Sequence, residues 1–331
     1  MNSAPLLEAS GIRVAFGSPD GPVHALDGVS LAVHAGETVS LVGESGSGKS
    51  TLALALMRAV RPDAGSIRFE GREIGDLTAR ELKPVRRRLQ MVFQDPYSSL
   101  DPRMSVEAIL AEPLRAHGIG DRAARRARIA GLLGQVGLPA DAMRRYPSEF
   151  SGGQRQRIAI ARALALAPAM IIADEPVSAL DVSIQAQIVN LMRDIQTETG
   201  IAYLVIAHDL ALVHEISDRV LVMYLGRIVE EGPAEDIIRR PRHPYTVALL
   251  SATPTPDPAG RGRRLLLRGD PPSPIDRPSG CAFHPRCPVA RERCSSDAPP
   301  LASDGPDRRV ACFFPGELAA PWPAPPSTGG P

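Results

Sequence analysis

The sequence, 331 residues long, is most informative at Gly43-Glu44-Ser45-Gly46-Ser47-Gly48-Lys49-Ser50, which fits the pattern Gly-x4-Gly-Lys-Ser/Thr. A short β-rich run from Thr38 to Val42 precedes it, and apolar residues recur at helical spacing from Lys49 to Val60. Glycines let backbone N–H groups approach phosphates closely, and the N-terminal end of a helix attracts anions. A glycine-rich turn before an ordinary helix is the alternative, but the flanking strand and helix favour a phosphate-binding loop, or P-loop.

Individual residues of the P-loop have predicted roles. Lys49 is expected to reach the terminal phosphates of a nucleotide, and the Ser50 hydroxyl is placed to ligate Mg2+. The residues predicted to bind the nucleotide here are Gly43, Ser45, Gly46, Gly48, Lys49, Ser50 and Thr51.

A second apolar run, from Met170 to Ala173, reads as a buried strand and ends in two carboxylates, Asp174 and Glu175. At the carboxyl end of a strand, one carboxylate can hold Mg2+ through its water shell while the next faces the γ-phosphate. Asp174 is therefore predicted to serve the metal, and Glu175 to polarise the attacking water. Carboxylates at strand ends are commonly solvated turn residues, so this prediction depends on the P-loop being present.

A third motif, Ser151-Gly152-Gly153-Gln154-Arg155, opens a stretch whose apolar residues have helical spacing. Ser151 and Gln154 have the spacing of a capping box, in which each side chain accepts from the other residue's backbone N–H. The glycine pair removes side chains from the helix N-terminus, which suits close approach to a phosphate. A well-capped helix with no further function is the alternative.

These motifs, in this order, resemble those of the ABC ATPase family, whose signature peptide corresponds to Phe150–Gln154, with Phe where Leu is commoner. In that family the signature completes the ATP site of the opposite subunit across a head-to-tail dimer. The resemblance implies an ATP hydrolase with ATP and Mg2+ as ligands, in which Ser151, Gly152, Gly153 and Gln154 contact ATP. It also implies a second ATPase subunit as partner, either a paralogue or another copy of this chain.

Four more residues take expected roles from the same resemblance, which covers roughly residues 6–250. Gln94 resembles the glutamine that senses Mg2+ at the catalytic site, and His208 resembles the switch histidine that contacts the γ-phosphate. Asp181 resembles the aspartate that supports the dimer interface, and Phe16 is the candidate for stacking on adenine. A lone histidine after a strand is more often a surface residue, but the ordered set of motifs favours a functional role for His208.

Further segments are similar to the oligopeptide/dipeptide permease ATPases, namely Asp95–Arg103, Tyr146–Phe150, His243–Thr246, Asp270–Pro274 and Pro278–Cys281. This resemblance implies the ATPase of a bacterial importer for dipeptides or oligopeptides, working with two transmembrane permease subunits and an extracytoplasmic solute-binding protein. Importers of nickel, glutathione or other small solutes are the alternative. A soluble ABC ATPase acting on nucleic acid or ribosomes is a further rival.

Composition bears on that rival and on location. The formal net charge is +1, so no strong basic field favours nucleic acid as a partner. The N-terminus lacks the basic start and apolar run of a signal peptide, and no stretch of 18 apolar residues occurs. The expected location is therefore the cytoplasmic face of the cell membrane, as a peripheral subunit.

Apolar runs alternate with helical patterns from about residue 43 to 238, which predicts an α/β fold. With the resemblance, this becomes a P-loop NTPase core with a mostly parallel sheet, an N-terminal antiparallel β subdomain and a helical subdomain carrying the signature. The ATPase domain is predicted over residues 1–250, with the helical subdomain at about 95–165. After residue 250 the chain holds 18 of its 33 prolines, which predicts a loop-rich extension over 251–314 and a disordered tail over 315–331.

All four cysteines, Cys281, Cys287, Cys294 and Cys312, lie in this extension. Disulfides are rare in cytosolic proteins, and the spacing does not match the Cys-x2-Cys pairs of zinc ribbons. Four thiolates in a proline-rich loop can hold a four-iron four-sulfur cluster, as some of the resembled permease ATPases do. A zinc ion and four free thiols remain the alternatives.

Overall fold

A computed structural model gives the structure of residues 4–208, 210–252, 265, 267 and 269–318. The strands of this part of the chain form two sheets. They are β1 (Leu7–Phe16), β2 (Val23–Val33), β3 (Thr38–Val42), β4 (Ala64–Phe69), β5 (Arg72–Glu73), β6 (Leu89–Val92), β7 (Met170–Asp174), β8 (Ala202–Ala207), β9 (Arg219–Tyr224), β10 (Arg227–Pro233), β11 (Ala302–Ser303) and β12 (Arg309–Val310).

The α-helices of the described residues vary from four to 18 residues in length. They are α1 (Lys49–Leu56), α2 (Leu82–Arg88), α3 (Pro96–Ser99), α4 (Val106–Ala116), α5 (Arg122–Gln135), α6 (Gly152–Leu164), α7 (Val182–Thr199), α8 (Leu210–Ile216), α9 (Ala234–Arg239), α10 (Pro244–Ala252) and α11 (Glu292–Ser296). None of them combines the length and apolar character needed to cross a membrane.

The N-terminal sheet is antiparallel, with strands in the order β2-β1-β4-β5. Its two long strands, β1 and β2, run for 10 and 11 residues. The pairing shifts register between Ala9 and Ile12, at Gly11, whose φ is +62°. An extra residue of this kind makes a β-bulge, so β1 continues past the register shift.

The larger sheet carries the strands that end in the predicted site residues. Its order is β11-β12-β10-β9-β3-β8-β7-β6, and the five strands from β9 to β6 are parallel. Every residue of β3, β7 and β8 is buried, as is typical of parallel strands covered on both faces. Because parallel strands end at the same edge of a sheet, the segments that follow β3, β6, β7 and β8 lie side by side.

Helices α4, α5 and α6 form a layer whose apolar side chains share one core with the larger sheet. Within the predicted helical subdomain, a short turn separates α4 from α5. Gly118 and Gly120 adopt φ values of +66° and +65°, and the Asp121 side chain caps α5 by accepting from the Ala124 N–H at 2.8 Å. This turn ends one helix and starts the next.

The C-terminal extension is loop-rich, but it also completes the larger sheet. Strand β12 pairs antiparallel with β10, and β11 pairs with β12. Buried Glu230 in β10 accepts from the backbone N–H groups of Arg242 and His243 at 2.9 and 3.0 Å and forms an ion pair with Arg308. The predicted α/β core, antiparallel subdomain, helical subdomain and loop-rich Cys-containing extension are thus confirmed as the fold class.

The predicted disordered tail falls largely outside the described residues, since it includes 319–331. Its first four residues, 315–318, belong to the described part of the chain. The Gly316 N–H donates to the Arg242 carbonyl at 2.8 Å, and Glu317 forms an ion pair with Arg291 at 2.5 Å. These contacts hold Gly316 against Arg242 and Glu317 against Arg291 of the extension.

Candidate nucleotide site

The P-loop joins β3 to α1, as the sequence predicts. Gly46 and Gly48 adopt φ values of +79° and +106°, in the region that favours glycine. A Cβ at Gly43 would lie 2.2 Å from the Met223 carbonyl oxygen, and one at Gly48 would lie 2.5 Å from that of Ala25. Close backbone packing therefore requires glycine at positions 43 and 48, independently of any ligand.

The Lys49 side chain lies over the P-loop and is almost fully buried. Its Nζ donates to the carbonyl oxygens of Gly43 and Glu44 at 2.8 and 2.9 Å. Burial lowers the Lys49 pKa, while the carboxylates of Glu175, Asp174 and Glu44 partly oppose this shift. The ammonium group is thus held at the loop by backbone carbonyls, where phosphates are expected.

Ser50 and Asp174 link the P-loop helix to the end of β7. The Ser50 hydroxyl donates to Asp174 Oδ1 at 3.3 Å. Burial raises the pKa of Asp174 and the Glu175 carboxylate adds to this, whereas Ser50 and Lys49 oppose it. A bound cation would stabilise the charged form of a carboxylate that burial has removed from water. The rest of the predicted phosphate-binding set lies in the same segment, with Ser45 and Gly46 exposed and Thr51 half-buried.

Glu175 is where three strand ends meet. Its Oε2 accepts from Gln94 Nε2 at 2.7 Å and lies 3.3 Å from His208 Nδ1. Gln94 follows β6 and His208 follows β8, the two neighbours of β7 in the sheet. Glu175 itself has φ +45°, an arrangement that costs about 1–3 kcal/mol for a residue other than glycine. Glu175 thus combines a strained backbone with a carboxylate that both Gln94 and His208 contact.

The signature motif forms the predicted capping box at the start of α6. Ser151 Oγ accepts from the Gln154 N–H at 3.3 Å, and Gln154 Oε1 accepts from the Ser151 N–H at 3.1 Å. A Cβ at Gly153 would lie 2.5 Å from Ile184 Cγ2, so α6 and α7 pack too closely there for a side chain. The sequence indicated only that the glycine pair lets a phosphate approach closely. The structure shows that Gly153 is also needed for the packing of α6 against α7.

The remaining predicted residues lie apart from the Glu175 cluster. Asp181 caps α7, with Oδ1 accepting from the Ile184 N–H at 3.0 Å and from the Ser183 hydroxyl at 2.7 Å. Phe16 ends β1 with 43% of its surface exposed. Within the described residues, no hydrogen bond or ion pair joins Ser151, Asp181 or Phe16 to Lys49 or Glu175.

Sequence reasoning missed contacts that the C-terminal part of the chain makes with the P-loop. The Glu44 N–H donates to the Tyr245 hydroxyl at 2.7 Å, and the Glu44 carboxylate pairs with Arg286. Tyr245 belongs to His243–Thr246, a segment noted in the sequence only for its resemblance. No local pattern indicates these contacts, because about 200 residues or more separate the partners.

The four cysteines line one small cavity in the extension, together with Phe283, Phe313 and Phe314. Burial raises the pKa of Cys281, and it raises the pKa values of Cys287 and Cys312 to about 11. Among the described residues, which include all four cysteines, no three His, Cys, Asp or Glu side chains are arranged to hold a metal ion.

Comparison with known proteins agrees with this architecture. A family model described as ABC transporter matches residues 26–178, and one described as oligopeptide/dipeptide transporter, C-terminal region, matches residues 229–294. A putative peptide import ATP-binding protein of Brucella ovis is 52% identical over 313 residues, covering 95% of this chain and 99% of the relative. The putative oligopeptide transport ATP-binding protein YkfD of Bacillus subtilis is 50% identical over 318 residues, covering 95% and 97%.

A solved structure shares the fold of the catalytic part. The dimeric, post-hydrolysis ATP-binding cassette MJ0796 bound to ADP and phosphate matches with a TM-score of 0.64 and 30% identity, covering 69% of this chain and 98% of that one. The identity to the curated relatives extends over nearly the whole chain. The chain therefore belongs to the ABC transporter ATPases, as an ATP-binding subunit of the oligopeptide/dipeptide type.

Proposed function

We propose that this chain hydrolyses ATP at the P-loop and the Glu175 cluster to drive import of dipeptides or oligopeptides. The observation that carries the catalytic part is the meeting of Gln94 and His208 at Glu175, beside the hydrogen bond from Ser50 to Asp174. Four neighbouring strand ends supply these groups, so they are held on the rigid part of the fold.

Binding of the triphosphate is assigned to the P-loop and Lys49. On ATP binding, the Lys49 ammonium exchanges the carbonyls of Gly43 and Glu44 for the terminal phosphate oxygens. The oxygen donors of Ser50, Asp174 and Gln94 suit Mg2+, which proteins usually hold by one or two carboxylates together with substrate phosphates. When bound, Mg2+ neutralises the charge that develops on the phosphates during transfer.

Glu175 is assigned to the attacking water. Its Oε2 is engaged by Gln94, and Oε1 accepts the proton as the water attacks the γ-phosphate. His208, whose side chain is 59% exposed, extends from the strand end next to Glu175 and contacts the γ-phosphate. Gln94 connects the catalytic carboxylate to the helical subdomain, because α3 begins two residues after it.

The signature residues are proposed to act on the ATP of a second ATPase subunit. Ser151–Gln154 make their hydrogen bonds within their own helix start and remain available to a partner. The related cassette MJ0796 is described as a dimer, which supports pairing in this family. In the pair, Asp181 supports the interface, and Phe16 stacks on the adenine of its own subunit.

The proposal that the solute is a peptide is based on the relatives of this chain. Those compared above are named for peptide or oligopeptide transport, which supports peptides over nickel or glutathione as the solute. The proposed assembly contains two ATPase subunits, two transmembrane permeases and an extracytoplasmic solute-binding protein, with this chain at the cytoplasmic face of the membrane.

Reconstitution tests the proposal. The chain, with its partner ATPase if that is a paralogue, is assembled with its permease subunits in vesicles carrying the solute receptor. ATP hydrolysis and uptake of a labelled peptide are then measured together. Peptide-stimulated hydrolysis with uptake is expected, and Lys49→Ala should abolish both. Stimulation by nickel or glutathione but not by peptides would contradict the peptide assignment, and an intact complex without hydrolysis would contradict the catalytic one.

We also propose that Cys281, Cys287, Cys294 and Cys312 hold a four-iron four-sulfur cluster. The described residues contain no three His, Cys, Asp or Glu side chains arranged to hold a metal ion, so either a zinc ion or a cluster would have to draw the thiolates closer together. A four-iron cluster is larger and takes one thiolate at each of its four corners. Four cysteines around a common cavity support this reading.

Iron analysis tests this assignment independently of transport. Protein purified without oxygen should be brown and contain about four irons per chain, and Cys287→Ser should lose the colour. Stoichiometric zinc, or metal-free protein with four titratable thiols, would exclude the cluster.

A further inference from the structure

The C-terminal extension reaches the P-loop through one arginine. Arg286 Nη1 donates to Glu44 Oε2 at 2.9 Å, and Nη2 donates to Glu44 Oε1 at 3.2 Å. The Arg286 side chain is 8% exposed and that of Glu44 is 29% exposed. Two parallel hydrogen bonds between a guanidinium and a carboxylate fix both the distance and the orientation of the partners. This is therefore a defined contact and not a loose surface ion pair.

The backbone of Glu44 is held from the same side of the molecule. Its N–H donates to the Tyr245 hydroxyl at 2.7 Å. Phe283, three residues before Arg286, is fully buried, and its ring centroid lies 5.3 Å from that of Tyr224 and 5.5 Å from that of Tyr245. These aromatic contacts anchor the segment that carries Arg286 beside the P-loop. Because this segment is already fixed, pairing of the guanidinium with Glu44 requires little further ordering of the chain.

Glu44 is close to the group that binds phosphate. Its carbonyl oxygen accepts from Lys49 Nζ at 2.9 Å. Its carboxylate, with those of Glu175 and Asp174, is one of three negative charges that act on Lys49. An unpaired carboxylate at this position would repel the negatively charged triphosphate, and the effect would be large because the site is partly desolvated.

We propose that Arg286 is a positioning residue of the ATP site, which acts through Glu44 by neutralising its carboxylate beside the phosphates. The inference rests on the proposed binding of ATP at the P-loop. It makes the C-terminal extension part of the nucleotide site, since Arg286 lies in the extension and pairs with a carboxylate of the P-loop.

A purely structural role for Arg286 predicts a different result. If Arg286 only fastened the extension to the core, removing either partner would loosen the same contact, and removing both would be no better. If Arg286 neutralises Glu44, its loss should harm ATP binding only while the Glu44 carboxylate is present. Charge rescue by Glu44→Gln therefore separates the two roles.

The experiment uses the full chain and ATP as the probe. ATP Kd is measured by equilibrium binding, and KM and kcat are measured in the assembled transporter, for Arg286→Met, Glu44→Gln and the double variant. Arg286→Met should raise Kd and KM about tenfold, with kcat within about twofold. The double variant should return to within about threefold of the original Kd, and Glu44→Gln alone should not weaken ATP binding.

Arg293→Met is the matched control. Arg293 pairs with Asp297 at 3.4 Å and stacks on Phe313 within the extension, and it has no contact with the P-loop among those of the described residues. It should leave ATP Kd unchanged. Arg286→Lys, which keeps the charge but not the paired hydrogen bonds, should show a smaller loss than Arg286→Met and serves if the latter fails to fold.

Two results would overturn the inference. One is an unchanged Kd in folded Arg286→Met, and the other is a double variant as weak as Arg286→Met, which would indicate a structural tie. Absence of ATP binding by the unaltered chain is a separate failure, because it would remove the P-loop assignment itself and the inference with it.

Discussion

Replacing Glu175 by Gln isolates the proposed proton acceptor with little change of shape. The Gln side chain is nearly isosteric, and its carbonyl oxygen can still accept from Gln94, which lies 2.7 Å from Glu175 Oε2. Lys49, Ser50 and Asp174 keep their places, because none of their hydrogen bonds involves Glu175. The change therefore removes the base and one negative charge while leaving the phosphate-binding groups intact.

A positioned general base contributes about 100- to 10,000-fold to rate, so Glu175→Gln should lower kcat by that factor, or about 3–5 kcal/mol in barrier. ATP Kd should stay equal or fall, because a negative charge beside the phosphates is lost. Steady-state phosphate release gives kcat, and equilibrium ATP binding gives Kd. The matched control is Glu198→Gln, the same change at an exposed position of α7, which should leave both constants unaltered. Turnover within about threefold of the original chain, in a variant that still binds ATP, would refute the role of Glu175.

The other predictions concern binding, pairing and the loop itself. Lys49→Ala should raise ATP Kd, since it removes the main side-chain charge facing the phosphates, and unchanged binding would exclude this role. Mixing a Lys49→Ala chain with a Ser151→Ala chain should restore about one working site per mixed dimer if the signature acts across the interface. The two chains must first be shown to pair. If mixed dimers form and no ATP hydrolysis is recovered, assembly of the site across the interface is contradicted. Gly48→Ala should lower the free energy of unfolding in denaturant titration by more than Gly46→Ala, because its Cβ would lie 2.5 Å from the Ala25 carbonyl oxygen whereas the one at Gly46 meets nothing within 4 Å. Equal losses would show that the close approach at Gly48 relaxes at no cost.

Sequence reasoning placed the catalytic elements well because the motifs are local and their chemistry is restrictive. The strand from Thr38 to Val42, the P-loop and the following helix were predicted from adjacent residues, as was the capping box at Ser151. Helix and strand limits were less exact. The break between α4 and α5 depends on two glycines with positive φ and a capping aspartate. The long β1 contains a bulge, and its pairing with β2 carries the strand past it.

The sequence alone determined the family, the α/β class and which side chains could serve ATP, because a P-loop, a strand ending in Asp-Glu and a capped glycine pair each have few physical uses. Only the tertiary structure decided which of these groups meet. It joined Gln94 and His208 at Glu175, packed Gly153 against Ile184, and brought the extension to the P-loop through Arg286. Such contacts join residues as many as 242 positions apart, and periodicity and spacing report only on neighbours in the chain. The order of strands in the larger sheet, which no single segment encodes, brings Gln94, Glu175 and His208 together.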